Sequence, residues 1–288
     1  MHLREAKGIL NAYNGMNISR GCIHGCIYCD SRSKCYRIEH DFEDVQIKSN
    51  APALLEDALR RKRKKCMIGT GAMTDPYIPL PENLANIRAC LEIIDRYGCG
   101  LAIQTKSDLI LRDLDVLKSI NKKAKCVVET TLTTFDEDLC KILEPKVCGT
   151  RRRFEVLKTM RDNGIQTVVW LCPFLPFIND TEENLRGLLD YCVEAKVYGI
   201  LCFSIGLTLR DGNREYFYSK LDEHFPGLKT KYQKKYGFNY AITSGNNSAL
   251  MKIFYEVCAQ HNIVCNNDAL FEYMRTFEEK NYTQMEMF

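Results

Sequence analysis

From about residue 49, apolar positions alternate between stretches with helical spacing and short β-branched runs, the pattern of βα units around a parallel sheet. Tyr13 to Ser19 reads as a first strand, running into a loop rich in glycine and cysteine. A helix is expected near Ser49 to Lys65, with Ser49 and Asn50 as cap candidates and Leu54, Leu55, Ala58 and Leu59 as its apolar stripe. Cys66 to Thr70 gives the second strand. Pro81 to Tyr97 follows as a helix, with Leu84, Ile87, Ala89, Leu91 and Ile94 spaced for helical burial and Gly98 to end it. Leu101 to Thr105 is the third strand, and Asp108 to Ile120 returns as helix.

Ala124 to Thr130 is the fourth strand, followed by two short helices, Asp136 to Leu143 and Arg151 to Asn163. Ile165 to Leu171 is the fifth strand. Thr181 to Ala195 has Thr181 to cap it and Glu182 and Glu183 to favour its dipole, and it leads into a sixth strand at Tyr198 to Ser204. A last helix is expected at Ser248 to His261. Leu207 to Ser244, rich in Tyr, Lys and Gly, has no clear period and reads as a functional insertion on the catalytic face. Six βα units in 288 residues, without a Pro/Gly/Ser-rich linker, fit a single α/β barrel.

Composition adds less than pattern. A formal net charge of +3 is too small to announce a polyanion-binding domain, so nucleic acid stays open as a partner without being indicated. Fifteen cysteines raise the question of disulfides, but Met1 to Leu10 carries His2, Arg4, Glu5 and Lys7 and no apolar core of a secretory signal. The thiols are therefore expected to stay reduced and the protein to be cytoplasmic. No stretch of 18 apolar residues suggests a membrane span; Val168 to Phe177 is interrupted by Cys172, Pro173 and Pro176.

The chemistry concentrates in Gly21-Cys22-Ile23-His24-Gly25-Cys26-Ile27-Tyr28-Cys29, three cysteines spaced C-x3-C-x2-C directly after the first strand. One short segment with such spacing can wrap a cuboidal iron-sulfur cluster, with Gly21 and Gly25 allowing the backbone to bend close to it. Three thiolates leave one iron open, which marks chemistry rather than structure. A zinc knuckle is the competing reading and would need Cys35 or His24 as a fourth ligand. Cys35 is expected to be structural, since a fourth thiolate would close the open iron.

At these residues the chain resembles the radical S-adenosylmethionine (radical SAM) superfamily, whose signature is C-x3-C-x2-C with an aromatic residue, here Tyr28, before the third cysteine. Thr74-Asp75-Pro76-Tyr77, Gln104-Thr105-Lys106-Ser107, Leu111-Arg112-Asp113-Leu114-Asp115, Leu143-Glu144-Pro145 and Pro176-Phe177-Ile178-Asn179-Asp180 resemble its spore photoproduct lyase-like branch. The tail from Gly206, including Thr208-Leu209-Arg210-Asp211-Gly212, is similar to the radical SAM mobile pair protein B subgroup. The resemblance implies an α/β fold: a partial six-unit (β/α) barrel of the radical SAM type with a C-terminal extension, residues 1–205 as its core and 206–288 as insertion and closing helices of the same domain.

It implies equally a 4Fe-4S cluster on Cys22, Cys26 and Cys29, S-adenosylmethionine bound at its open iron, and reductive cleavage to a 5′-deoxyadenosyl radical that abstracts hydrogen from a substrate. Thr74 and Asp75 match a Ser/Thr-Asp pair that holds the cofactor's amino group; Lys106 is a candidate for its carboxylate or ribose, and Tyr28, Ser107 and Thr131 complete the expected cofactor site. One of Arg151 to Arg153 is a further candidate for the carboxylate. The implied partners are an external electron donor of flavodoxin or ferredoxin type and a partner radical SAM protein. A photoproduct-type DNA repair lyase and a non-catalytic, cluster-bearing subunit are the alternatives. Against repair stands Ala72, two residues before Thr74, where such lyases carry a hydrogen-donating cysteine.

Three further features stand apart from the signature. Glu129 lies inside an apolar strand, where an unpaired carboxylate is costly, and is expected to serve a buried polar role. The run Arg60 to Lys65 closes a helix, where cations are favourable, at the end of the barrel opposite the active site. Cys172 and Cys202, near strand ends, are candidates to face the substrate.

Overall fold

The computed structural model describes residues 1–280. The chain opens with β1 (His2–Arg4), β2 (Gly15–Met16) and β3 (Ser19–Arg20). After the cysteine loop come β4 (Gln46–Lys48), α1 (Ala51–Arg60), β5 (Met67–Thr70), α2 (Pro81–Arg96), β6 (Gly100–Gln104), α3 (Leu114–Lys123), β7 (Cys126–Thr131), α4 (Glu137–Leu143), α5 (Thr150–Asp162), β8 (Gln166–Trp170), α6 (Glu182–Ala195) and β9 (Gly199–Leu201). The remainder forms β10 (Gly206–Thr208), α7 (Asn213–His224), α8 (Leu228–Tyr236), β11 (Ala241–Thr243), α9 (Asn247–Gln260) and α10 (Asn267–Arg275).

Strands β2-β5-β6-β7-β8-β9 form one parallel sheet in sequence order, the open six-unit barrel expected from the pattern. Each strand is buried on both sides, so its alternation separates two cores rather than core from solvent. On β7, Cys126 and Val128 join the layer under α2 and α3, while Val127 faces the concave side with Met67, Ala102, Val168 and Leu201. Leu270 and Met274 of α10 pack into that concave core. The last described helix thus lies in the open side of the barrel.

The first strand is shorter than expected. Gly15 and Met16 alone pair with β5, while Ser19 and Arg20 leave the barrel for a small sheet with β4, whose other neighbour is β1. The segment expected to be helix from Asp108 begins as a 3-10 turn over Asp108–Asp113, because the Ser107 hydroxyl accepts from Leu109 N–H and sets its start. The stretch from Leu207 to Ser244, expected to be irregular, is built of α7, α8 and the antiparallel β10/β11 pair. Its period was hidden because α7 buries residues of mixed polarity, Asn213 and Arg214 beside Phe217, Tyr218 and Leu221.

Among the described residues no helix is long and apolar enough to cross a membrane.

Candidate functional site

The cysteine loop follows β3 and is held from behind by chain far away in sequence. Ile27 N–H donates to Leu143 O at 3.0 Å, and Cys22 N–H to Phe42 O at 2.9 Å. Cys26, Ile27 and Tyr28 pack with Leu143, Leu207, Phe217, Tyr232 and Ile242, so the 207–244 segment buttresses the loop. Gly21 (φ +83°) adopts left-handed backbone, where a side chain would be strained and would also strike Phe42 O.

The three cysteines line one cavity of about 110 Å³ together with residues from the C-terminal ends of β5, β6 and β7: Thr74, Asp75, Lys106 and Thr131. This is where ligands sit in barrels of βα units. Gly71 (φ +100°) at the end of β5 is required because a Cβ there would overlap Gln104 O.

Asp75 is the clamp between two of these loops. Its Oδ1 accepts from Tyr77 N–H at 2.8 Å and the Thr105 hydroxyl at 2.7 Å; Oδ2 accepts from Lys106 N–H at 2.8 Å and faces His24 Nδ1 at 3.5 Å. Most of its acceptor capacity is thus committed to the protein, leaving little for a ligand ammonium. Burial lowers the His24 pKa, the Asp75 charge opposing it.

Lys106 is half-buried, its ammonium 5.4 Å from the centre of the Tyr28 ring. Burial works against its charge, but the neighbouring Cys26 and Glu144 outweigh this and hold its pKa above the usual lysine value. Burial pushes the Cys26 thiol up to about 12 and Cys22 higher still, so both ionise readily only against a compensating positive charge. Iron supplies such a charge, and the donor set of three thiols around Lys106 fits an anionic cluster. Among the described residues no three His, Cys, Asp or Glu side chains converge as ligands of one ion would. A cuboidal cluster, which gives each thiolate its own iron, spaces its ligands more widely.

Two expected cofactor residues do not line the cavity. The Tyr28 ring is buried in the core behind the loop, its hydroxyl donating to Glu144, and the Ser107 hydroxyl is engaged by Leu109 N–H. The arginines separate as well. Arg151 is exposed and Arg152 pairs with Asp108 at 2.8 Å, whereas Arg153 is buried in an ion pair with Glu144 and also donates to Thr131 O and Cys148 O, each at 3.0 Å. None of the three lines the cavity, and two are already paired: the Leu143-Glu144-Pro145 segment supplies the partner that absorbs Arg153, and Asp108 takes Arg152. This Tyr28–Glu144–Arg153 group was not assigned from sequence; the signal was Glu144 between two apolar-compatible positions ahead of a basic helix start.

Cys35 is outside the cavity, its sulfur 3.4 Å from Arg210 Nη1. Cys202 is packed against Met251 in the outer core, and Cys172 likewise does not line the cavity. Pro176 to Asp180 is structural: Asn179 Nδ2 donates to Thr133 O at 2.8 Å and Asp180 accepts from Phe177 N–H at 2.7 Å. Much of the basic run pairs locally, Arg60 with Asp57, Lys62 with Asn14 at 2.7 Å and Lys65 with Glu279 at 2.7 Å, while Arg63 and Lys64 are exposed to solvent.

An open parallel barrel carrying a three-cysteine loop at its C-terminal face defines a class, and the chain belongs to the Radical SAM superfamily, whose family model matches residues 16–189. Within it, the chain is 29% identical over 229 residues to an uncharacterized protein of Mycobacterium tuberculosis, covering 77% of this chain and 66% of that one. It is 32% identical over 179 residues to an uncharacterized protein of Methanocaldococcus jannaschii, covering 62% and 64%. The chain therefore spans just under two thirds of the length of these relatives.

Among solved structures it is similar to a double mutant of spore photoproduct lyase with AdoMet and dinucleoside spore photoproduct bound (TM-score 0.61, 12% identity, 86% of this chain and 73% of that). It is also similar to the radical S-adenosylmethionine methyltransferase TsrM of Kitasatospora setae with cobalamin and a [4Fe-4S] cluster (TM-score 0.59, 13% identity, 88% and 54%). At these identities the likeness is one of fold.

Proposed function

We propose that the chain binds a 4Fe-4S cluster through Cys22, Cys26 and Cys29 and uses it to cleave S-adenosylmethionine reductively. The observation that carries this reading is the single cavity onto which all three thiols open, beside Thr74, Lys106 and Thr131. A reduced cluster held by these three thiols would supply the electron for reductive cleavage of the sulfonium, the source of the radical chemistry on substrate.

The chain's own residues bind and orient. Lys106 offsets the negative charge of the thiolates and can donate to a carboxylate or ribose oxygen. Thr74, in the loop after β5, and Thr131, at the end of β7, offer hydroxyls on the cavity lining. Asp75 fixes the loops that carry Thr74 and Lys106, and its remaining acceptor site on Oδ2 faces His24. The buried Tyr28–Glu144–Arg153 group sets the back of the cysteine loop.

A small acidic flavodoxin or ferredoxin is the expected electron source, and a second radical SAM protein the expected partner. The reaction on the substrate is not a photoproduct repair: Ala72, which lines the cavity, stands where the resemblance would put the hydrogen-donating cysteine of such lyases, and an alanine cannot donate a hydrogen atom. The test is anaerobic reconstitution followed by iron and sulfide analysis, then dithionite reduction with S-adenosylmethionine. About four irons per chain and formation of 5′-deoxyadenosine are expected. A protein that takes up iron but yields no 5′-deoxyadenosine would instead be a cluster-bearing subunit.

A further inference from the structure

Beneath the cysteine cavity lies a larger one of about 320 Å³, with Ala72, Met73 and Gln104 lining both. It occupies the concave side of the barrel and is closed by α10 through Phe271, Met274 and Arg275. Into it projects Glu129, only 6% exposed, on the same face of β7 as Thr131. Its Oε2 accepts from the indole N–H of Trp170 at 2.7 Å, and its other oxygen has no hydrogen-bond partner among the described residues.

A buried carboxylate with a free oxygen is costly, and burial raises its pKa to about 7, with the Trp170 N–H pulling the other way. Nothing in the packing of the strand requires it. The neighbouring surfaces are aromatic: Trp170, Phe203 and Phe271 stand with ring centres 5.9 to 6.2 Å apart, and Phe203 is 56% exposed. The other charged residue of the lining is Arg275, its guanidinium 5.4 Å from the Phe271 ring and 6.0 Å from the exposed Tyr13 ring.

We propose that this cavity takes a planar nitrogen heterocycle presenting two adjacent N–H donors, its donor edge on Glu129, its ring beside Trp170 and Phe271, and an anionic tail toward Arg275. An ionised carboxylate accepts two parallel hydrogen bonds, which a guanine-like edge supplies. Aromatic walls hold a flat ring without regard to its substituents. The exposed guanidinium suits a phosphate or carboxylate. The assignment rests on the cofactor reading above only for its role as substrate; the binding itself does not depend on cleavage.

Guanosine 5′-monophosphate and a single-stranded deoxyhexamer with one central guanine are the probes, titrated anaerobically into the cluster-reconstituted protein by calorimetry. Trp170, the chain's single tryptophan, gives a second readout through quenching of its emission. Saturable binding of either probe is expected, the tighter one telling a free nucleotide from a base in a strand. Glu129→Gln, which keeps an acceptor for Trp170, is expected to weaken binding about tenfold or more, and inosine 5′-monophosphate, lacking one donor, to bind correspondingly less well to the unaltered protein. Arg275→Ala is expected to weaken the nucleotide and leave guanosine unaffected. Binding of neither probe, or binding indifferent to both Glu129→Gln and the missing amine, would overturn the proposal. 5′-Deoxyadenosine formed without any probe reads the cofactor proposal separately, so the two can fail independently.

Discussion

Replacing Glu129 by Gln tests the physics of the barrel interior through stability alone. In the folded chain burial raises this carboxyl from 4.5 to about 7. Below the lower value both folded and unfolded chains hold the proton, and no cost arises. As pH rises the unfolded chain releases a proton that the folded chain keeps, so folding loses stability until the folded group also ionises near pH 7. With about 1.4 kcal/mol per pKa unit, the wild-type penalty grows by roughly 2–3 kcal/mol between pH 5 and pH 8. Glutamine carries no such penalty. Arg275 is the other charged residue lining the cavity, and its exposure screens it from Glu129. Anaerobic urea unfolding of both proteins at the two pH values isolates the term, since every other titration is shared. The advantage of the variant over the wild type is expected to grow by about 2–3 kcal/mol from pH 5 to pH 8. A stability difference equal at the two pH values would refute the account of a dry, weakly partnered carboxylate.

Replacement of Cys22, Cys26 or Cys29 by Ala is expected to abolish the visible cluster absorbance while Cys35→Ala retains it; loss of absorbance in Cys35→Ala would overturn the three-ligand assignment. Arg153→Met leaves the Glu144 carboxylate buried with the Tyr28 hydroxyl and the weakly donating Cys140 thiol but no ion-pair partner, and a loss of about 3–5 kcal/mol in unfolding free energy is expected, measured by chemical denaturation. Lys106→Ala is expected to weaken S-adenosylmethionine binding by roughly 1.5–3 kcal/mol, and Asp75→Asn to weaken it by loosening the loops that carry Thr74 and Lys106, both read by equilibrium dialysis; undiminished binding in both would remove these residues from the site. Incubating the reduced enzyme with a synthetic dinucleotide photoproduct is expected to give no multiple turnover to thymidine dinucleotide, Ala72 being unable to donate hydrogen.

The barrel strands and their helices were legible because each strand is short, apolar and bounded by a helix with a clear stripe; β5 to β9 fall within a few residues of their expected places. The first strand was overread because the chain bends at Ile18, after which Ser19 and Arg20 pair with β4 instead of β5. Position relative to the cavity was harder. Thr74, Asp75, Lys106 and Thr131 line it because strand ends dictate where they emerge. Tyr28 and Ser107 do not: Tyr28 turns inward to Glu144, more than a hundred residues away, and the Ser107 hydroxyl turns back to the main chain at Leu109. The partner of Arg153 lies only nine residues back, but nothing in Leu143-Glu144-Pro145 announces that its carboxylate turns inward. α10 was not anticipated at all: its buried residues, Leu270 and Met274, are too few for a strong stripe until a concave sheet is there to receive them.

The backing of the cysteine loop also sets an order of assembly. The three thiols leave the ribosome early, but the side chains that close behind them, Phe217, Tyr232 and Ile242, are synthesised some two hundred residues later. At translation rates of about 5–20 residues per second the loop waits ten seconds or more without its wall. During that interval the loop stays open on the side that the 207–244 segment later covers, so its final shape is set only when the last third of the chain docks.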